Sequence, residues 1–180
     1  MRDLRTKTVL WLARTINPQV QPTRRVTINL ESSRQLSDGT LGREVARFID
    51  ENHFTPITEG DLIQRTHDIW HVLTGLSPST EDEFMLQAFT RAQVFRPSSS
   101  LLVLYGVMTK QVSVSRAIAS LKRGRLAKPL TQWNLEADWE KPLEEVRLKL
   151  GIVLPDPIPP LTKKAEPKAL PSQEEIALDQ

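Results

Sequence analysis

Apolar residues recur three or four positions apart along most of this chain, and this spacing favours helices over strands. Leu41, Val45 and Ile49, for example, would share one face of a helix that follows a turn at residues 38–39. Strand-like alternation occurs only over residues 26–30. We therefore predict an all-α fold, and 180 residues are enough for one domain with its own core.

Capping residues place two helices near the middle of the chain. Thr58 can cap a helix that runs to about Thr74, and Gly75 would end it. Ser79 or Thr80 would cap the next helix. Only a short turn would join the two, so their facing side chains are expected to meet.

Three more helical stretches follow. The apolar run 101–108 is far shorter than the roughly 20 residues that a membrane span needs, so we expect a buried helix there. Ser113 can cap another helix. A last stretch over residues 133–150 should kink or break at Pro142.

The two ends differ in composition from the centre. Residues 1–30 form a basic amphipathic segment, which could pack on the domain, lie on an anionic membrane or begin a mitochondrial transit peptide. Residues 158–180 are rich in proline, lysine and glutamate, and we expect them to be disordered. The predicted helical domain is therefore 1–157.

Composition excludes several kinds of site. The chain has no cysteine, so any metal ion must be held by nitrogen and oxygen ligands. Its 24 basic and 22 acidic residues give a net charge of +2, which does not indicate a nucleic-acid partner.

The segment from His67 to His71 (HDIWH) carries the clearest chemistry. Histidines four residues apart share one helix face, and at about 100° per residue Asp68 falls on the same polar arc. Glu83 opens the next helix and would return toward them across the turn. Such ligands suit zinc, iron(II), manganese or cobalt, and open coordination positions could polarise a substrate oxygen or activate water or dioxygen.

A purely structural interpretation of these residues stays open. Two histidines and an aspartate on a polar arc could form only a solvated helix face. Glu83 stands three residues after Thr80 and could be its partner in a capping box. Spacing alone does not separate these possibilities from a metal site.

A different metal enzyme is a further alternative. An HD-type phosphohydrolase would combine the His67-Asp68 pair with His53 and Asp138, but it would leave Glu83 without a role. A zinc protease is excluded, because its motif has glutamate directly after the first histidine, where this chain has aspartate.

The pattern HDxxH, eleven residues and then Glu resembles the hallmark of the Coq-four family of ubiquinone (coenzyme Q) biosynthesis proteins. His67, Asp68, His71 and Glu83 match its four positions. Segments on both sides are also similar, in the same order, from about residue 36 to 157. One departure is Asp82, which stands where the family has glycine and could supply an extra or substitute carboxylate.

The resemblance implies an all-helical fold in which those four residues bind a divalent metal, often zinc. It also implies a hydrophobic channel for a polyprenyl tail. Candidate lining residues, which could equally be ordinary core, are Phe84, Phe89, Leu101, Leu102 and Leu104.

The activity that the resemblance implies is metal-dependent oxidative decarboxylation of a prenylated hydroxybenzoate, a lyase reaction. The alternative is a non-catalytic scaffold that binds a prenyl lipid and organises other quinone-biosynthesis proteins. The expected location is peripheral to a membrane or cytoplasmic in a bacterium, or the matrix side of the mitochondrial inner membrane. A homodimer could use the apolar run 101–108.

Overall fold

The structure is a computed structural model that describes residues 16–24 and 26–155. These residues contain eight complete α-helices and two 3-10 turns, and their only β-type pairing is an isolated bridge between Thr40 and Pro142. The predicted all-α fold is confirmed. The first half of the basic segment and the tail from residue 158 lie outside the described residues, so those two predictions stay predictions.

In chain order the helices are α1 (Leu30–Arg34), α2 (Leu41–Glu51), α3 (Leu62–Arg65), α4 (His67–Thr74), α5 (Thr80–Gln93), α6 (Pro97–Met108), α7 (Val114–Leu126) and α8 (Leu143–Leu150). The 3-10 turns Leu130–Gln132 and Glu136–Asp138 lie between α7 and α8. Within the described part of the chain, no helix has the length and apolar character needed to cross a membrane.

Helix α5 lies at the centre of the fold. Helices α6 and α7 both pack on it, and α4 lies between α5 and α2. Gly124 allows α7 to approach closely, since a Cβ atom there would lie 2.6 Å from the carbonyl oxygen of Phe89. The core around these contacts contains fully buried Ile49, Ile69 and Leu86.

The predicted helix from Thr58 to Thr74 begins later than expected and is divided. Asp61, which is fully buried, caps α3 by accepting from the backbone N–H of Gln64, and it pairs with Arg96 at 2.6 Å. The division falls at Thr66, whose hydroxyl donates to the Leu62 carbonyl at 2.8 Å. Such back-bonding commonly bends helices.

The strand-like alternation at residues 26–30 does not form a strand. Residues 26–29 are irregular, and Leu30 begins α1. Asn29 caps that helix by accepting from the Ser32 N–H, and the hydroxyls of Ser32 and Ser33 donate to its carbonyl. These local bonds replace the pairing that a strand would need.

The break at Pro142 is confirmed, because α8 begins directly after it. The residues before it form turns around Asp138 rather than a helix. The Asp138 side chain is fully buried, accepts from the Trp133 indole N–H at 2.7 Å and pairs with Lys141 and Lys149.

The prediction that residues 101–108 are buried is wrong. Leu101, Leu104, Tyr105 and Met108 are between 53% and 74% exposed. Helix α6 instead buries its small residues, with Gly106 set against the ring of Phe84. Apolar content alone could not reveal which face of an almost uniformly apolar helix meets its neighbour.

Candidate metal centre

Helices α4 and α5 bring three predicted ligands together. His67 is the first residue of α4, and His71 follows one turn later. Gly75 ends α4 in a left-handed conformation (φ +67°), and the Ser79 hydroxyl caps α5, so Glu83 enters from its first turn. Ligand atoms of the three residues all lie within 4.8 Å of one another.

The carboxylate of Glu83 bridges the two imidazoles. Its Oε1 lies 3.1 Å from His71 Nε2, and its Oε2 lies 3.6 Å from His67 Nε2. The capping role that Glu83 could have played with Thr80 is absent here, because Ser79 caps the helix and the carboxylate turns toward the histidines.

The centre is closed on one side and open on the other. The His71 side chain is 1% exposed, whereas those of His67 and Glu83 are 29% and 38% exposed. The Phe48 ring stacks on His71 with centroids 5.4 Å apart. Within the described part of the chain, the side of His67 and Glu83 is therefore the one from which a small molecule could reach the centre.

Both ring nitrogens of His71 face hydrogen-bond acceptors. Nδ1 lies 3.0 Å from the Leu76 carbonyl oxygen, and Nε2 lies 3.1 Å from the Glu83 carboxylate. When Nδ1–H donates to the carbonyl, Nε2 has only a lone pair to offer. A positive centre between Nε2 and Glu83, either a proton or a metal ion, then satisfies both atoms, and a carbonyl partner of this kind is typical of metal-binding histidines.

The two aspartates of the motif region have other partners. Asp68 is buried, and its Oδ1 lies 3.7 Å from His67 Nδ1, on the ring side opposite Glu83. That position suits orienting His67. Asp82 accepts from the backbone N–H and hydroxyl of Ser77 and lies near Arg116, so it does not act as a substitute ligand in this arrangement.

Neighbouring charges shift the titration of two candidate ligands. Burial alone would lower the pKa of His67, but its contacts with Asp68 and Glu83 outweigh burial and raise that pKa to about 9. Burial would likewise raise the pKa of Glu83, yet the two imidazoles lower it to about 2. Glu83 is therefore charged at neutral pH, whereas His67 is mostly protonated as long as no metal ion is bound, so metal binding would have to displace a proton from His67.

Two arginines from distant helices hold the C-terminal end of α4. Arg147 of α8 donates to the carbonyls of Val72 and Leu73, at 2.7 and 3.0 Å. Arg123 of α7 donates to the carbonyl of Thr74 at 2.8 Å. Cations at a helix C-terminus are favourable, but no local pattern reveals these contacts, since the partners are 49 to 75 residues apart.

The phosphohydrolase ligand set does not form. His53 is exposed in a turn with φ +55°, and Asp138 is engaged by Trp133, Lys141 and Lys149. Among the residues that the structure describes, the group that could hold a metal consists of His67, His71 and Glu83. Two imidazoles and a carboxylate fit zinc, iron(II), manganese or cobalt, and three protein ligands leave coordination positions open.

An apolar groove of about 600 Å³ lies between α6 and α7, with α5 as its floor. Its walls include Val103, Leu104, Val107, Val114, Ile118 and Leu121. Of the five predicted channel residues, Leu104 alone lines it. Phe84 and Phe89 are buried in the core, Leu102 is partly buried against it, and Leu101 is exposed.

Comparisons with known proteins agree on one family. A profile described as "Coenzyme Q (ubiquinone) biosynthesis protein Coq4" matches residues 16–156. The mitochondrial ubiquinone biosynthesis protein COQ4 homolog of Danio rerio is 31% identical over 149 residues, covering 72% of this chain and 55% of that protein. Its Homo sapiens counterpart is 30% identical, covering 72% and 56%.

A solved structure is also similar. It is a protein of Nostoc punctiforme, provisionally described as a ubiquinone biosynthesis protein, with a TM-score of 0.59 and 26% identity. The alignment covers 71% of this chain and 69% of that one. By contrast, the chain spans only about half the length of the curated relatives that it matches.

Proposed function

Because this chain belongs to the Coq4 family of coenzyme Q (ubiquinone) biosynthesis proteins, we propose that it catalyses metal-dependent oxidative decarboxylation of a prenylated hydroxybenzoate. The observation that carries this proposal is the convergence of His67, His71 and Glu83. Dioxygen would be the two-electron oxidant and would leave as hydrogen peroxide. Carbon dioxide would leave from the ring, and a hydroxyl whose oxygen comes from water would replace the carboxylate.

His67, His71 and Glu83 would hold the divalent ion, with Asp68 as the predicted fourth ligand or as the group that orients His67. When bound, the ion would act as a Lewis acid toward an oxygen of the substrate ring. Residues of the chain itself would position the ligands and exclude water. The Leu76 carbonyl fixes the His71 ring, and Phe48 excludes water from its inner face.

The polyprenyl tail would occupy the groove between α6 and α7. Its apolar walls and volume support this assignment. Ala88, on the floor of the groove, is about 140° around α5 from Glu83. The tail would therefore have to pass around α5 to join a ring at the metal centre.

The curated relatives are named as mitochondrial, which supports a mitochondrial location in a eukaryote. For this chain we propose peripheral attachment, at the matrix side of the mitochondrial inner membrane or at a bacterial membrane. Other quinone-biosynthesis proteins are its proposed partners.

A second candidate function is a non-catalytic scaffold that presents a prenyl lipid to partner enzymes. The exposed stripe on α6 supports it, because exposed apolar surfaces of this kind mark sites that contact other proteins or membranes. The same stripe could join two copies of the chain.

A single-turnover assay separates the two functions. Protein loaded with iron(II), zinc, manganese or cobalt is mixed with a carboxyl-labelled prenylated hydroxybenzoate and dioxygen, and released carbon dioxide is counted. The proposal predicts release by the wild type and by His53→Asn, and loss of at least about a hundredfold in Glu83→Gln. If the metal-loaded wild type releases no carbon dioxide, the decarboxylase proposal is contradicted and the scaffold function remains.

A further inference from the structure

A long segment of this chain contains no acidic residue. Between Glu83 and Glu136 there is no Asp or Glu, and this segment includes most of α5 and all of α6 and α7. Its basic residues are Arg91, Arg96, Lys110, Arg116, Lys122, Arg123, Arg125 and Lys128. The near-neutral net charge of the chain therefore conceals a strongly cationic region.

Several of these cations have no carboxylate partner. Arg96 and Arg116 pair with acidic residues from outside the segment. Within the described part of the chain, the exposed residues Lys110, Lys122 and Arg125 form no ion pair. Their charge is available to an external anion.

The same region carries the exposed apolar stripe on α6. Leu101, Leu104, Tyr105 and Met108 follow the spacing of one helix face. Across the groove, Val114 and Ile118 of α7 are also about half exposed. Since Leu104, Val114 and Ile118 also line the groove, the groove opens on this apolar surface.

Exposed apolar side chains beside unpaired cations match the interface of an anionic bilayer. Apolar side chains enter the hydrocarbon boundary, while lysine and arginine extend toward lipid phosphates. Helix α6 carries no charged side chain and, at twelve residues, is about 18 Å long. It can lie along the interface but cannot cross it.

We infer that the hairpin of α6 and α7 is the surface on which this protein docks on an anionic lipid bilayer, so that the groove opens directly toward the lipid. This places docking on the folded domain rather than on the basic segment 1–30. The inference rests on the proposed function only for the idea that the groove takes a prenyl lipid, because docking itself does not use the metal centre.

Vesicle sedimentation of the full chain tests the inference. Vesicles of phosphatidylcholine, with and without phosphatidylglycerol, are the probe. We expect binding to require phosphatidylglycerol and to weaken as salt is added. The double variant Leu104→Glu with Met108→Glu should bind at least tenfold more weakly, and Arg125→Gln about fivefold more weakly.

Leu148→Glu is the matched control, because Leu148 is 82% exposed on α8, outside the hairpin. It should bind like the wild type. Unchanged circular dichroism and thermal midpoint in each variant would show that folding is intact. Glu83→Gln should also bind normally, so failure of the metal chemistry and failure of docking are distinguishable.

Three results would overturn the inference. The α6 double variant could bind vesicles as well as the wild type does. Trp11→Asp could abolish binding while the hairpin variants retain it, which would assign docking to the N-terminal segment. The double variant could instead convert a dimer to a monomer without changing vesicle binding, which would identify the stripe as an interface between copies.

Discussion

At the scale of single residues, His71 connects the turn after α4 to the candidate metal centre. Its Nδ1 contacts the Leu76 carbonyl and its Nε2 contacts Glu83, so a shift of the turn would move the ligand. The spacing of His67 and His71 predicted that both would share one face. The Leu76 contact could not be predicted, since it depends on how the chain turns after Gly75.

The two carboxylates of the motif also differ in their positions relative to the histidine rings. Asp68 and Glu83 looked equivalent as ligands in the sequence, because both could be placed near the histidines. In the structure Glu83 lies at the Nε2 atoms, and Asp68 lies at the opposite nitrogen of His67. The angular position of a residue around a helix does not determine which ring nitrogen of a histidine its side chain contacts.

Asp138 gives a prediction about acid stability. Its contacts with Lys149, Trp133 and Lys141 overcome the effect of burial and lower its pKa to about 2, compared with about 3.9 in the unfolded chain. A carboxyl whose pKa falls on folding stabilises the native state above its unfolded pKa, and this stability is lost as pH falls through its folded pKa. We expect the wild type to lose about 2 kcal/mol between about pH 4 and pH 2.

Asp138→Asn should lack this pH-dependent contribution. Urea unfolding of the wild type and of the variant at pH 6, 4 and 3 measures this contribution. It equals the difference between their free energies of unfolding at each pH. The variant should be less stable at pH 6, and the difference should narrow in acid. A difference that stays constant with pH would show that the carboxylate charge does not stabilise the fold.

At the scale of elements, the end of α4 depends on partners far away in the chain. Arg147 and Arg123 satisfy carbonyls that the last helical turn leaves without intrahelical donors. Helices α7 and α8 therefore fix the helix that carries both histidines. Capping signals predicted that α4 ends at Gly75, but not which side chains hold that end.

Arg147→Lys should weaken metal binding. One ammonium cannot reproduce the planar fork that reaches both Val72 and Leu73. Disturbing groups that position ligands typically costs tenfold or more in affinity, so we expect zinc or cobalt affinity to fall roughly tenfold. Competition with a coloured chelator measures the change.

Arg43→Lys is the control for this prediction. Arg43 donates to the carbonyl of Arg34 at the end of α1 and pairs with Asp38, away from the centre. Its replacement should lower the thermal midpoint with little change in metal affinity. Wild-type affinity in Arg147→Lys would mean that the end of α4 does not position the ligands.

At the scale of the whole molecule, helical spacing was sufficient to predict an all-α domain, because one-sided burial leaves a clear period of 3.6 residues. It failed for α6, where apolar residues surround the helix and the buried side is set by Gly106 against Phe84. It also failed around Asp138, whose buried contacts organise irregular turns. Both failures concern features decided by tertiary contacts.

The molecule as a whole combines a centre of three ligands on one side of α5 with an open apolar groove on another. The proposed catalysis would use the first, and the proposed prenyl tail would occupy the second. The central claim is that His67, His71 and Glu83 together bind one divalent ion.

Metal analysis by mass spectrometry, after equilibration with zinc or cobalt and removal of free ion, tests that claim most directly. The wild type should retain about one ion per chain, and so should His53→Asn, which changes a histidine outside the centre. His71→Ala and Glu83→Gln should lose most of it. A wild type that retains no metal, or a His71→Ala protein that retains as much as the wild type, would contradict the claim.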